Sequence, residues 1–204
     1  MKQVTFSVGI AFVLWTLMFS PWTAPHLNFW WAMATSALLL MTWVAATCRD
    51  TFRLLRFAPT DIALGIAVAA ALWAVFYAGD ALSSAILPFA RPQVDGIYAM
   101  KDGQSPVLLS ALLLLVIGPA EEIFWRGYVQ RTLARRTNPN RAFIVTTLVY
   151  TLVHIASFNF MLIMAAMVCG IAWGGLYRLF PRRFGAIVLS HALWDALVFI
   201  WFPI

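Results

Sequence analysis

The chain has 204 residues, 63% hydrophobic and 11% charged, with a formal net charge of +6. A soluble domain carries about a quarter charged residues, so the composition excludes an ordinary soluble protein and indicates a polytopic membrane protein. The positive balance is not a nucleic-acid footprint, because the basic residues sit in short segments between long apolar runs.

Those runs, near 4–20, 28–47, 61–79, 106–134, 141–157, 159–178 and 184–202, predict about seven transmembrane spans in a single integral membrane domain, 1–204. Each approaches the roughly 20 helical residues that cross a hydrocarbon core. No period-2 pattern suggests a barrel, and a backbone without water must bond internally, so the fold class is all-α. The first span follows Lys2 and precedes "SPWTAP"; its apolar run is long for a cleavable leader, and an uncleaved helix is expected. With the N-terminus inside, the inner segments hold Lys2, Arg49, Arg53, Arg56, Arg131, Arg135, Arg136, Arg141, Arg178, Arg182 and Arg183, and the outer ones only Arg91 and Lys101. That asymmetry orients the chain N-in and C-out, with Trp22, Trp30, Trp31 and Trp201 at the outer interface.

Residues 1–105 comprise three helices and a long outer segment, 80–105, expected as a partly amphipathic surface loop, with a lid over a site as its functional alternative. Asp61, Asp80 and His26 fall at span ends or in a loop and are expected to be solvated. Cys48 and Cys169 lie in different spans at different depths, so neither a disulfide nor a cysteine metal motif is expected. Gly170 and Gly174 give the sixth span a GxxxG spacing suited to close helix packing.

The remaining ionisable groups lie within the membrane: Glu121, Glu122, Arg126, His154, His191 and Asp195. Such residues are costly there and mark function unless they form helix-tying ion pairs. In "EEIFWR", Glu122 and Arg126 are four apart and can pair, while Glu121 is rotated about 100° away and left without that partner. "YTLVH" puts Tyr150 and His154 one turn apart, and "HALWD" does the same for His191 and Asp195. Glu121 is 14 residues from Arg135, His154 is 13 from Arg141, and His191 and Asp195 are 8 and 12 from Arg183. All four therefore lie about 12–21 Å above the inner segments, a shared depth that independent ion pairs would not require. Gly118–Pro119 should kink the helix just before Glu121.

A free carboxylate with two histidines in a low-dielectric setting can activate water as a general base with histidine support. The same groups can instead hold a divalent metal that generates hydroxide. Ser190 and Ser157 lie near the histidines, but Ser190 is rotated about 100° from His191 and is expected to pack. Either mechanism hydrolyses a bond presented inside the membrane.

The three segments, in this order on consecutive late helices, resemble the EExxxR, FxxxH and HxxxN motifs of the CAAX-protease and bacteriocin-processing (CPBP) family of glutamic intramembrane proteases. The resemblance spans about 118–196 and makes 106–204 the catalytic core. It implies an endopeptidase without a cofactor, in which Glu121 and His154 activate water and His191 and Asp195 stabilise the oxyanion. Glu122, Arg126 and Tyr150 would support that site. Two residues depart from the pattern: Tyr150 replaces phenylalanine, and Asp195 stands where asparagine is commoner. The implied partner is a membrane-anchored peptide or protein reached through the bilayer, in the inner membrane of a bacterial or archaeal cell. The alternatives are a zinc-dependent peptidase on the same residues, a non-catalytic scaffold of the same fold, and a transporter, against which the lack of repeated halves argues.

Overall fold

A computed structural model describes residues 2–204, and among them every regular element is helical. The described residues form eight helices: α1 Lys2–Phe19, α2 Phe29–Thr47, α3 Pro59–Ile86, α4 Ala90–Tyr98, α5 Pro106–Arg136, α6 Pro139–Leu152, α7 Phe160–Leu179 and α8 Phe184–Ala196. A wider helical turn, Leu197–Trp201, extends α8. The protein is an all-α polytopic membrane protein. Six helices are long and apolar enough to cross a membrane, rather than seven. The difference is α6, which has only 14 residues because the chain turns at Val153–His154 and passes through a short 3₁₀ turn, Ile155–Ser157. Phe158, in a left-handed conformation (φ 51°), then redirects it into α7.

The outer segment departs further from expectation. Helix α3 runs on to Ile86, and together with α4 it makes most of the stretch read as loop helical. Helix α4 is tied down from several sides. The Gln93 carbonyl accepts from Asn159 Nδ2 at 2.9 Å, and Gln93 Oε1 accepts from the Met161 backbone N–H at 3.0 Å, at the start of α7. Neither Asp61 nor Asp80 is simply solvated. Asp61 is buried, accepts from the Ala58 N–H that begins α3 at 3.1 Å, and pairs with Arg183 at 2.9 Å. Asp80 is mostly buried and meets Arg91 at 3.4 Å. Desolvating a carboxylate requires such partners. At the arginine-rich end, Asp50 pairs with Arg131 and Arg135. The Cys48 thiol, with those arginines, holds its carboxyl below the usual carboxylate range.

Glycines set the closest helix approaches. A Cβ on Gly118 would lie 2.7 Å from Ala192 Cα, so α5 and α8 touch backbone to backbone there. Gly170 packs against Thr147, whose Oγ1 donates to the Gly170 carbonyl at 3.1 Å, and Gln130 Nε2 donates to the Gly174 carbonyl at 2.8 Å. The GxxxG face thus joins α7 to α5 and α6. Helix α5 is not uniform: Leu113–Ile117 and Ile123–Gln130 are π-helical, flanking the short α-helical piece Gly118–Glu122. Pro119 has no N–H for the ordinary i→i−4 bond, and the wider π register just before it accommodates that gap.

Candidate active site

Glu121 and Glu122 lie on α5 between the two π segments, at the level where α5 meets α8. Glu122 and Arg126 are fully desolvated, 0% and 1% exposed, and pair at 2.9 Å through Glu122 Oε1 and Arg126 Nη1. The guanidinium also lies over the Tyr150 ring, 4.6 Å from its centroid. The expected i,i+4 pair is present, but it is not isolated. His191 Nδ1 lies 2.8 Å from the same Glu122 oxygen. Because an ionised carboxylate only accepts, Nδ1 is the donor in that bond.

The other nitrogen of His191 faces Asp195 Oδ2 at 3.5 Å, one turn further along α8. The ring is stacked on Trp173 of α7, centroids 3.7 Å apart and 16° between planes. His191 is therefore held at both nitrogens and on one face. Ser190 donates to the Ile187 carbonyl at 2.8 Å and is buried in packing, as its rotation from His191 predicts.

Glu121 is without the Arg126 partner, as its rotation from Glu122 leads one to expect. Its contact comes from α6, where Tyr150 Oη donates to Glu121 Oε2 at 3.2 Å. His154, just past the end of α6, has its own pair of partners. Its Nδ1 lies 2.9 Å from the Tyr150 carbonyl, and its Nε2 accepts from the Trp15 indole N–H at 3.2 Å. Trp15 belongs to α1, in the half of the chain where the sequence carries no motif. A tryptophan in an apolar helix reads as core, and no local signal marks it as a partner of histidine.

Glu121, Tyr150, His154, His191 and Asp195 all line one cavity of about 450 Å³. Its other walls are largely apolar, formed by α2, α3 and α7, with Val94, Ile97 and Tyr98 of α4 across one side. The structure brings the four depth-matched residues and Tyr150 to one surface. Glu122 and Arg126 lie behind it in the protein interior.

Among the described residues, no group of three or more histidine, cysteine or carboxylate side chains is arranged to hold a metal ion. His154 has both nitrogens engaged by protein partners, Nδ1 at the Tyr150 carbonyl and Nε2 at the Trp15 indole.

These features define a class: a multi-pass helical membrane protein with carboxylates and imidazoles converging on an apolar cavity among its helices. Residues 103–197 match the family model of the Rce1-like type II CAAX prenyl endopeptidases. The chain is Rce1-like over that segment, which carries all three motifs, and this agrees with the resemblance to the CPBP family. No curated protein and no solved structure matches the chain significantly.

Proposed function

We propose that this protein is an intramembrane endopeptidase that hydrolyses a peptide bond of a membrane-anchored substrate, with Glu121 as the general base. The observation that supports this most is the placement of Glu121, His154, His191 and Asp195 on the wall of one apolar cavity among membrane-spanning helices. A polar quartet in such a setting has low-dielectric surroundings, where aimed dipoles and charges act strongly on a developing oxyanion.

Water between Glu121 and His154 attacks the scissile carbonyl carbon while Glu121 takes its proton. His154 orients that water through its Nε2 edge, which the water shares with the Trp15 indole N–H. The carbonyl oxygen becomes an oxyanion, which His191 meets with Nε2–H, the edge turned to Asp195 at 3.5 Å. Glu121 then passes its proton to the leaving amine as the C–N bond breaks. An ionised Asp195 cannot donate to an oxyanion, so it acts through His191, holding the ring as a donor at Nε2 while Glu122 holds Nδ1. Tyr150 steadies Glu121, and the Glu122–Arg126 pair supports the site from behind.

The substrate reaches the cavity from the bilayer as an apolar, membrane-anchored peptide; the polar segments between the helices are too short to form a separate recognition domain. The reading assigns no role to a metal or a cofactor.

The test is cleavage of membrane-anchored peptides by purified protein in proteoliposomes, the candidate substrates taken from membrane proteins that accumulate uncleaved in a deletion strain. Glu121→Gln, His154→Ala and His191→Ala each abolish cleavage while the protein remains folded. Cleavage that survives Glu121→Gln removes the base from the scheme. Stoichiometric zinc in active protein, with activity lost on chelation and restored by metal, replaces the metal-free mechanism with the zinc-dependent one.

A further inference from the structure

Trp15 is completely buried on α1, outside the segment that matches the family model, yet it touches two of the three motifs. Its ring meets Trp125 of "EEIFWR" edge-on, centroids 6.4 Å apart at 89°, and meets the His154 ring edge-on at 6.4 Å and 85°. Its indole N–H donates to His154 Nε2 at 3.2 Å. His154 follows the end of α6, beyond the last α-helical turn, so the helix does not by itself fix its ring.

Two partners of opposite kind define that ring. The Tyr150 carbonyl only accepts, so Nδ1 bears the proton; an indole N–H only donates, so Nε2 bears the lone pair. A protonated Nε2 would set an N–H against an N–H. The pair of contacts therefore describes a neutral imidazole whose accepting edge and plane are both fixed. A histidine that orients water needs that state, whereas one that stabilises an oxyanion needs a donor, the state available to His191 between two carboxylates.

We propose that Trp15 is a positioning residue for His154: its N–H keeps Nε2 as the accepting edge and holds the ring at the cavity wall, sharing that edge with the reacting water. This rests on the endopeptidase reading for its consequence, but not for the contact itself. The N-terminal helix then completes a site whose motifs all lie in the second half of the chain.

Two measurements on the full-length protein test it. In the first, the indole ¹⁵N–¹H spectrum is recorded for ¹⁵N-tryptophan-labelled protein, the Trp15 resonance being the one lost in Trp15→Phe. His154→Ala shifts that resonance if the pair exists; an unmoved resonance overturns the proposal. In the second, Trp15→Phe lowers kcat about five- to tenfold at unchanged KM, the size expected for loss of one hydrogen bond. Benzothienylalanine at position 15, which keeps the ring volume and lacks the N–H, does the same should the phenylalanine variant fold poorly. Unchanged or raised kcat, or an equal rise in KM, overturns the positioning role. Unaltered protein that shows the resonance shift but cleaves nothing overturns the endopeptidase reading, and the Trp15–His154 pairing stands.

Discussion

Glu122 and His191 share a hydrogen bond of 2.8 Å, and it ends on the same carboxylate oxygen, Oε1, that receives Arg126 Nη1 at 2.9 Å. A single buried atom thus ties the "EEIFWR" helix to the "HALWD" helix. Its acceptor is fully enclosed, so neither donor is replaceable by water.

Glu122→Gln should destabilise the fold. The amide oxygen still accepts, but Arg126 becomes an uncompensated buried cation, a loss of about 3–5 kcal/mol for a broken buried pair. Melting in detergent is expected to fall sharply, with cleavage falling as a consequence. Glu121→Gln should leave melting almost unchanged and remove cleavage. The reverse pattern would exchange the roles assigned to the two adjacent glutamates.

At Asp195 the expectation turns on pairing rather than donation. Asparagine there can still orient His191 through its carbonyl oxygen, so Asp195→Asn should keep cleavage within about tenfold, or about 1.4 kcal/mol. Asp195→Leu leaves Nε2 of His191 unsupported and should lose about a hundredfold or more, as loss of oxyanion stabilisation does elsewhere. Steady-state cleavage of one substrate by both variants, with and without added zinc, checks this. Recovery of the asparagine variant by zinc would identify Asp195 as a metal ligand.

Gly118→Ala should act through geometry alone. The added Cβ would fall 2.7 Å from Ala192 Cα and 3.0 Å from its backbone nitrogen, neither of which can swing aside. The helices must separate, at about 1–3 kcal/mol for overpacking. Because Ala192 adjoins His191, cleavage should fall more than stability alone predicts. Melting and kcat measured together check it; a variant with unchanged kcat would mean that this helix contact does not set the site.

Tyr150→Phe should be mild. It deletes the hydroxyl that donates to Glu121 at 3.2 Å but keeps the ring face under Arg126. Cleavage within about tenfold and a stability change of about 1 kcal/mol are expected for one net hydrogen bond. A loss comparable with that of Glu121→Gln would give the hydroxyl a direct part in the reaction.

Hydropathy and motif spacing by themselves determined the helical membrane class, most span positions, the Glu122–Arg126 pair and the shared depth of Glu121, His154, His191 and Asp195. Each of these depends on quantities a linear chain carries: run length against bilayer thickness, and 1.5 Å of rise per residue. Only the tertiary structure decided that His191 reaches across to Glu122, that Tyr150 reaches Glu121, and that Trp15 meets His154. It also decided that α6 ends at Leu152 and that the expected outer loop is largely helical, from the end of α3 and from α4. Periodicity tells which residues share a helix face but not which helix lies opposite. Inside a bilayer every neighbour is similarly apolar, so the choice rests on close packing at small residues and on satisfying buried polar groups. Trp15 shows the limit most clearly: its surroundings in the sequence are apolar, and the one atom that distinguishes it, an indole nitrogen, acquires meaning only from a histidine 139 residues away.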